Sequence, residues 1–190
     1  MASTQALKSR IRSVKSTRQI TKAMELVAAS KMRRAQEATK ASAPYTLASR
    51  ELLTALSLQT SVKDHPLFKK RAVKNRLFIV IASDKGLAGA YNTNVMKLYA
   101  QQLKDDDTNK VGNKTITVGR RAAQFAGRLK DTEIIGTYHD IPDRPEGRQL
   151  RTILNSAKDL FVSGQVDAVD VIYTDFVTSL VQEAKMVRIM

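Results

Sequence analysis

Apolar and small residues recur at helical spacing along the first sixty positions: Leu7, Ile11, Val14, Met24, Ala28, Met32, Ala35, Ala38, Tyr45, Leu52 and Leu56. The spacing predicts one long helix over 3–60. That stretch lacks glycine and is rich in Ala, Leu, Met, Gln, Lys and Arg, the good helix formers. Ser3 or Thr4 suits the N-cap position. At 3.6 residues per turn the stripe drifts slowly around the helix, in the sense expected of a left-handed coiled coil. Arg18 and Thr21 fall in the seam, so the heptads are imperfect. Pro44 removes one backbone hydrogen bond and predicts a bend within one helix rather than a break into two.

The period then changes. Residues 63–75 are polar and basic, contain Pro66 and read as a connection. The run 76–82 (RLFIVIA) is short, apolar and rich in β-branched residues, as a buried strand is. Further strands are predicted at 114–119, 133–139, 167–176 and 184–190, with helices at 91–104, 121–130 and 147–164. Loops are expected at 83–89, at 105–113 and from Asp140 to Gly147, around Pro142 and Pro145. Strands alternating with helices imply a three-layer, Rossmann-like α/β domain over 76–190, with a mostly parallel five-stranded sheet. The last strand follows its predecessor through a short link and is expected as an antiparallel edge.

These lengths do not match one another. A helix of this size is about 87 Å long. A domain built from the rest of the chain is roughly 36 Å across. Half or more of the apolar stripe then has no partner within the chain, and a helix stabilised by packing must find one elsewhere. The chain also stops at MVRIM, inside a predicted strand. The expectation is an oligomer or a molecule whose second helix is missing, either truncated or a natural short product.

Charge sharpens the picture. The net charge is +14, and residues 1–40 hold ten Lys and Arg against only Glu25 and Glu37. A basic surface of this kind seeks an acidic partner. Nucleic acid is one reading, but the helix has no aromatic residue before Tyr45 to stack on bases. A small-residue helix suits passage through a protein sleeve better than a DNA groove. No apolar run is long enough to span a membrane, and the N-terminus has no apolar signal core. The chain has no cysteine, which removes disulfide and thiolate chemistry.

Candidate chemistry is sparse. The loop SDKGLAGAYN follows a strand and opens a helix, but Gly86 and Gly89 form neither GxGxxG nor a P-loop. A tight strand-to-helix turn is the better reading there than a nucleotide site. Ser83 has no GxSxG elbow around it. His65 and His139 stand apart as surface histidines. Asp105, Asp106 and Asp107 read as a solvated turn, and Asp167 and Asp170 as structural residues beside a strand. No catalytic, cofactor or metal constellation is expected.

Three stretches carry a resemblance. IRSVKSTRQITKAMELVAASKMRRAQ (11–36) resembles the N-terminal helix of bacterial ATP synthase gamma subunits. SDKGLAGAYN (83–92) is similar to that family's SD[RK]GL-small-G loop, and 170–190 to the segment that precedes its LLPL stretch. The resemblance covers essentially the whole chain, except that the family continues for roughly ninety more residues into a second long helix. It implies a shaft helix (1–62), a connection (63–75) and a globular foot (76–190) in a non-catalytic rotor subunit. The implied role is to couple rotation of the membrane ring to ATP synthesis or hydrolysis. The implied partners are the alpha, beta and epsilon subunits and the c-ring, at the cytoplasmic face of the bacterial membrane, peripheral to it, with no nucleic acid or small-molecule substrate. Lys22, Met24, Lys31, Arg33 and Arg34 are the residues implied to meet acidic lever loops of the beta subunits. Ser83, Asp84, Lys85, Gly86 and Gly89 form the implied foot loop.

Overall fold

The computed structural model describes residues 3–59, 65–68, 71–130, 132–142, 147–178 and 180–190. It divides into two compact units, 1–58 and 59–190. Position 62, part of the connection 63–75 and Pro145 lie outside the described residues.

The first unit is one helix, α1 (Thr4–Ser57), 54 residues long and continuous through Pro44. Ser3 caps it, its side chain accepting the N–H of Gln5 at 3.3 Å. No residue of α1 is buried. The hydroxyls of Thr17, Thr21, Thr39, Thr46 and Thr54 donate to carbonyls one turn back. Its polar side chains are thus partly satisfied within the helix.

The second unit contains β1 (Asn75–Ile81), α2 (Tyr91–Thr108), β2 (Gly112–Val118), α3 (Arg120–Ala126), β3 (Glu133–Tyr138), α4 (Gly147–Val162), β4 (Ala168–Phe176) and β5 (Gln182–Arg188). The sheet order is β3-β2-β1-β4-β5. The chain enters at the centre, steps outward twice, and crosses back through α4 to the other side of β1. The first four strands pair in parallel, and β5 runs antiparallel to β4. Central β1 is buried from Leu77 to Val80 because helices cover both faces, which is why its sequence is continuously apolar. On one face Leu77, Ile79, Ile116, Val118 and Val169 pack with Ile153, Ala157 and Phe161 of α4. On the other, Phe78, Val80 and Ile172 pack with Val95, Met96 and Tyr99 of α2 and Ala122 and Ala126 of α3. Tyr99 is fully buried there, and its hydroxyl satisfies itself against Thr115 Oγ1 at 2.7 Å. Burial pushes its phenol pKa above the ordinary value.

The predicted solvated turn at Asp105–Asp107 is corrected. Those residues form the last turn of α2, and Asp106 is buried. Its carboxylate stands 2.9 Å from Arg76 Nε on β1, an ion contact outside hydrogen-bond alignment. Burial is the largest influence on that carboxyl and, despite the guanidinium, raises the Asp106 pKa. Arg76 also pairs with buried Asp170 on β4, which in turn pairs with Arg188 on β5. Two carboxylates and two guanidiniums thus tie four elements on one side of the sheet. Asp170, expected as a structural residue beside a strand, lies within β4 and is structural. So is Asp167, whose carboxylate accepts the N–H groups of Lys74 and Asn75 at 2.9 Å each.

Candidate partner-binding surfaces

Along α1 the two acids of the first forty residues are taken by near neighbours. Lys22 pairs with Glu25 at 3.0 Å and Arg33 with Glu37 at 3.1 Å, all well exposed. Exposed pairs of this kind contribute roughly 0–1 kcal/mol each. Ten cations against two acids still leave a strong positive excess on this stretch. Arg34 Nε reaches the carbonyl of Ser30 at 3.5 Å. The five residues singled out from the sequence do not share one face. At about 100° per residue Lys22 and Arg33 lie together, Met24 and Lys31 lie about 180° away, and Arg34 falls between. The same helix exposes Leu7, Ile11, Val14, Ile20, Leu26, Val27 and Met32, each about half or more accessible. Cations and apolar groups are therefore mixed around the circumference.

The loop after β1 is built differently from a phosphate cradle. Asp84 Oδ1 accepts the N–H of Arg120 at 2.9 Å, and Oδ2 accepts the N–H of Asp140 at 3.0 Å. One carboxylate thus joins the exits of β1, β2 and β3 and supplies the negative group at the start of α3. Gly119 allows that closure: its φ is +96°, and a Cβ there would stand 2.1 Å from the carbonyl oxygen of Ala82. Ser83 donates its backbone N–H to Asn92 Oδ1 at 3.0 Å, and its hydroxyl lies 2.5 Å from the carbonyl of Lys85. Gly89 takes φ +56°, the turn role expected of it. At Gly86 a Cβ would meet only the Arg121 guanidinium, at 2.6 Å, the movable end of a flexible side chain. Arg120 pairs with Asp140 at 2.5 Å and His139 Nδ1 lies 3.1 Å from the same carboxylate, which holds the Asp140 pKa below the usual range. His65 makes an edge contact with Phe68 and accepts the N–H of Leu67. Sequence reading gave no role to Asn92, Arg120, Arg121 or Asp140. Asn92 closes the SDKGLAGAYN stretch, and the local signal for Arg120 and Arg121 was a strand that ends on glycine followed by two arginines.

The family model described as ATP synthase matches residues 3–190. The chain belongs to the ATP synthase gamma-chain family. It is 38% identical over 183 residues to the ATP synthase gamma chain of Ralstonia nicotianae, covering 96% of this chain and 62% of that one. It is 40% identical over 181 residues to that of Chloroherpeton thalassium, covering 93% of this chain and 59% of the relative. The chain therefore spans about three fifths of the length of these relatives. Among solved structures it resembles a chain of the Tetrahymena thermophila mitochondrial ATP synthase central stalk and c-ring, with TM-score 0.74 and 22% identity over 90% of this chain and 72% of that one. A Euglena gracilis mitochondrial ATP synthase chain matches with TM-score 0.62 at 16% identity, over 96% of this chain and 55% of the other. At these identities the structural likeness establishes the fold.

Proposed function

We propose that this gamma-family chain serves in the central-stalk rotor of a proton-transporting ATP synthase. In that reading residues 1–62 form the shaft, 63–75 the connection and 76–190 the foot. The carrying observation is that the chain has both a 54-residue cationic helix with no buried residue and a two-faced α/β core. Such a helix is stabilised by packing only if other polypeptides sheath it. The mixed circumference suits a sleeve of alpha and beta subunits. Lys22, Met24, Lys31, Arg33 and Arg34 are the positions proposed to meet acidic lever loops, and their spread over opposite faces lets successive loops engage as the shaft turns. An asymmetric shaft acts by binding one nucleotide state of a catalytic interface better than another, so its angle shifts which state is populated. The subunit is non-catalytic in this reading and holds no cofactor.

The foot, with Ser83, Asp84, Lys85, Gly86 and Gly89 in its first loop, is proposed to meet epsilon and the c-ring at the cytoplasmic face of the bacterial membrane. Among the described residues no helix is long and apolar enough to cross a membrane, which agrees with a peripheral position. The test is co-expression of the tagged chain with alpha, beta and epsilon subunits, followed by mild affinity purification. Recovery of a stoichiometric complex is expected. Recovery of the chain alone would overturn the reading.

A further inference from the structure

The cleft between α2 and α3 has a composition that neither the helix nor the loop accounts for. Its volume is about 240 Å³, and its lining includes Asn92, Met96, Arg121, Gln124, Phe125 and Arg128, with no acidic residue. Elsewhere in the domain Arg76, Arg120 and Arg188 each have a carboxylate. Arg121 and Arg128 have none among the described residues, although both are exposed. The main chain of Arg121 is anchored by its N–H to the carbonyl of Ser83 at 3.0 Å, and its guanidinium lies beside Gly86. Asn92 accepts the Ser83 N–H on Oδ1, so its amide nitrogen is left as a donor without a partner among the described residues. The cleft therefore combines several donors with a floor of Met96 and Phe125.

We infer that this cleft is a docking notch for a carboxylate side chain, Glu or Asp, presented by a protein partner. Guanidiniums match a carboxylate in charge and in planar fork geometry. The volume lies below the ~300 Å³ at which small-molecule pockets begin, which argues against a nucleotide. The apolar floor separates a side chain from a free ion, because a glutamate brings methylenes to cover Phe125 and Met96 and inorganic phosphate brings none.

The notch belongs to the domain alone, so its binding is measured without any other subunit. The full chain, 15N-labelled, is titrated with the peptide acetyl-Glu-Glu-Glu-Glu-amide and, separately, with the isosteric glutamine peptide and with inorganic phosphate. The expected result is saturable movement of the Arg121 and Arg128 Nε–Hε and Asn92 side-chain amide signals with the glutamate peptide only. The double variant Arg121→Gln, Arg128→Gln should weaken that binding at least tenfold. Arg151→Gln, on α4, should change it less than twofold. Saturation by phosphate with equal or greater affinity would overturn the carboxylate docking assignment in favour of a small-anion site. Peptide shifts spread over all lysines and arginines, or unchanged in the double variant, would overturn the site itself.

Discussion

Asp170 and Arg188 stand directly opposite each other across the antiparallel β4–β5 pair and join through two hydrogen bonds, Nε to Oδ1 at 3.0 Å and Nη2 to Oδ2 at 2.9 Å. Asp170 is 1% exposed and also holds Arg76, so one buried carboxylate clamps the central strand and the edge strand to β4. Replacing Asp170 by Asn leaves two guanidiniums beside a neutral amide. The expected loss is about 3–5 kcal/mol, as for a broken buried pair. Arg188→Gln should cost less, because Arg188 is 48% exposed and water can replace part of what it gives. Urea unfolding followed by circular dichroism ranks the two, and equal losses would contradict the clamp.

Acid stability should depend on Asp167. Its carboxylate is stabilised by the N–H groups of Asn75 and then Lys74, which lowers its pKa below the usual value. A depressed carboxyl pKa contributes stability that is present above the unfolded value, about 3.9, and lost as pH falls through the folded value. Asp167→Ala should therefore narrow the stability difference from wild type as pH drops below about 4. Asp106 has the opposite sign: its raised pKa contributes stability below the unfolded value that is lost as pH rises through the folded one. Unfolding midpoints measured between pH 2 and 7 separate the two slopes.

Gly119→Ala should be among the most damaging substitutions in the domain. It combines a left-handed φ with a Cβ placed 2.1 Å from the Ala82 carbonyl oxygen. The backbone at the exit of β2 must move, and a cost of at least about 3 kcal/mol is expected. Gly164→Ala shares a positive φ but meets open space, so about 1 kcal/mol should suffice. Thermal melts of the two variants give the contrast.

Pro44→Ala should strengthen α1. Proline in a helix interior forfeits a hydrogen bond and crowds the preceding turn, at about 3 kcal/mol relative to alanine. The helix already runs through this position. The substitution should therefore raise amide hydrogen-exchange protection over residues 40–48 and leave the α/β domain unchanged. Unaltered protection there would show that proline is not a weak point.

The alternation of strands and helices was legible because it is a property of neighbouring residues. RLFIVIA is apolar at every position from Leu77 to Ala82, and a run so short and rich in β-branched residues suits a strand covered on both faces. The long helix was legible from its composition and spacing. The foot-loop residues were also marked by a short motif. What that loop does was not, because Asp84 acts on Arg120 and Asp140, 36 and 56 positions away. The same holds for the aspartates at 105–107. Three consecutive acids are poor helix formers and read as a turn, yet a guanidinium on β1 draws Asp106 into the helix and out of water.

By itself, then, the sequence determined the elements, their order, the basic rod and the family. Tertiary structure alone decided which strand lies between which, that β1 is central, and which charges are buried together. The physical reason is range. Propensity and periodicity act within one or two turns, whereas burial and ion pairing depend on groups that only the folded sheet brings within a few ångströms.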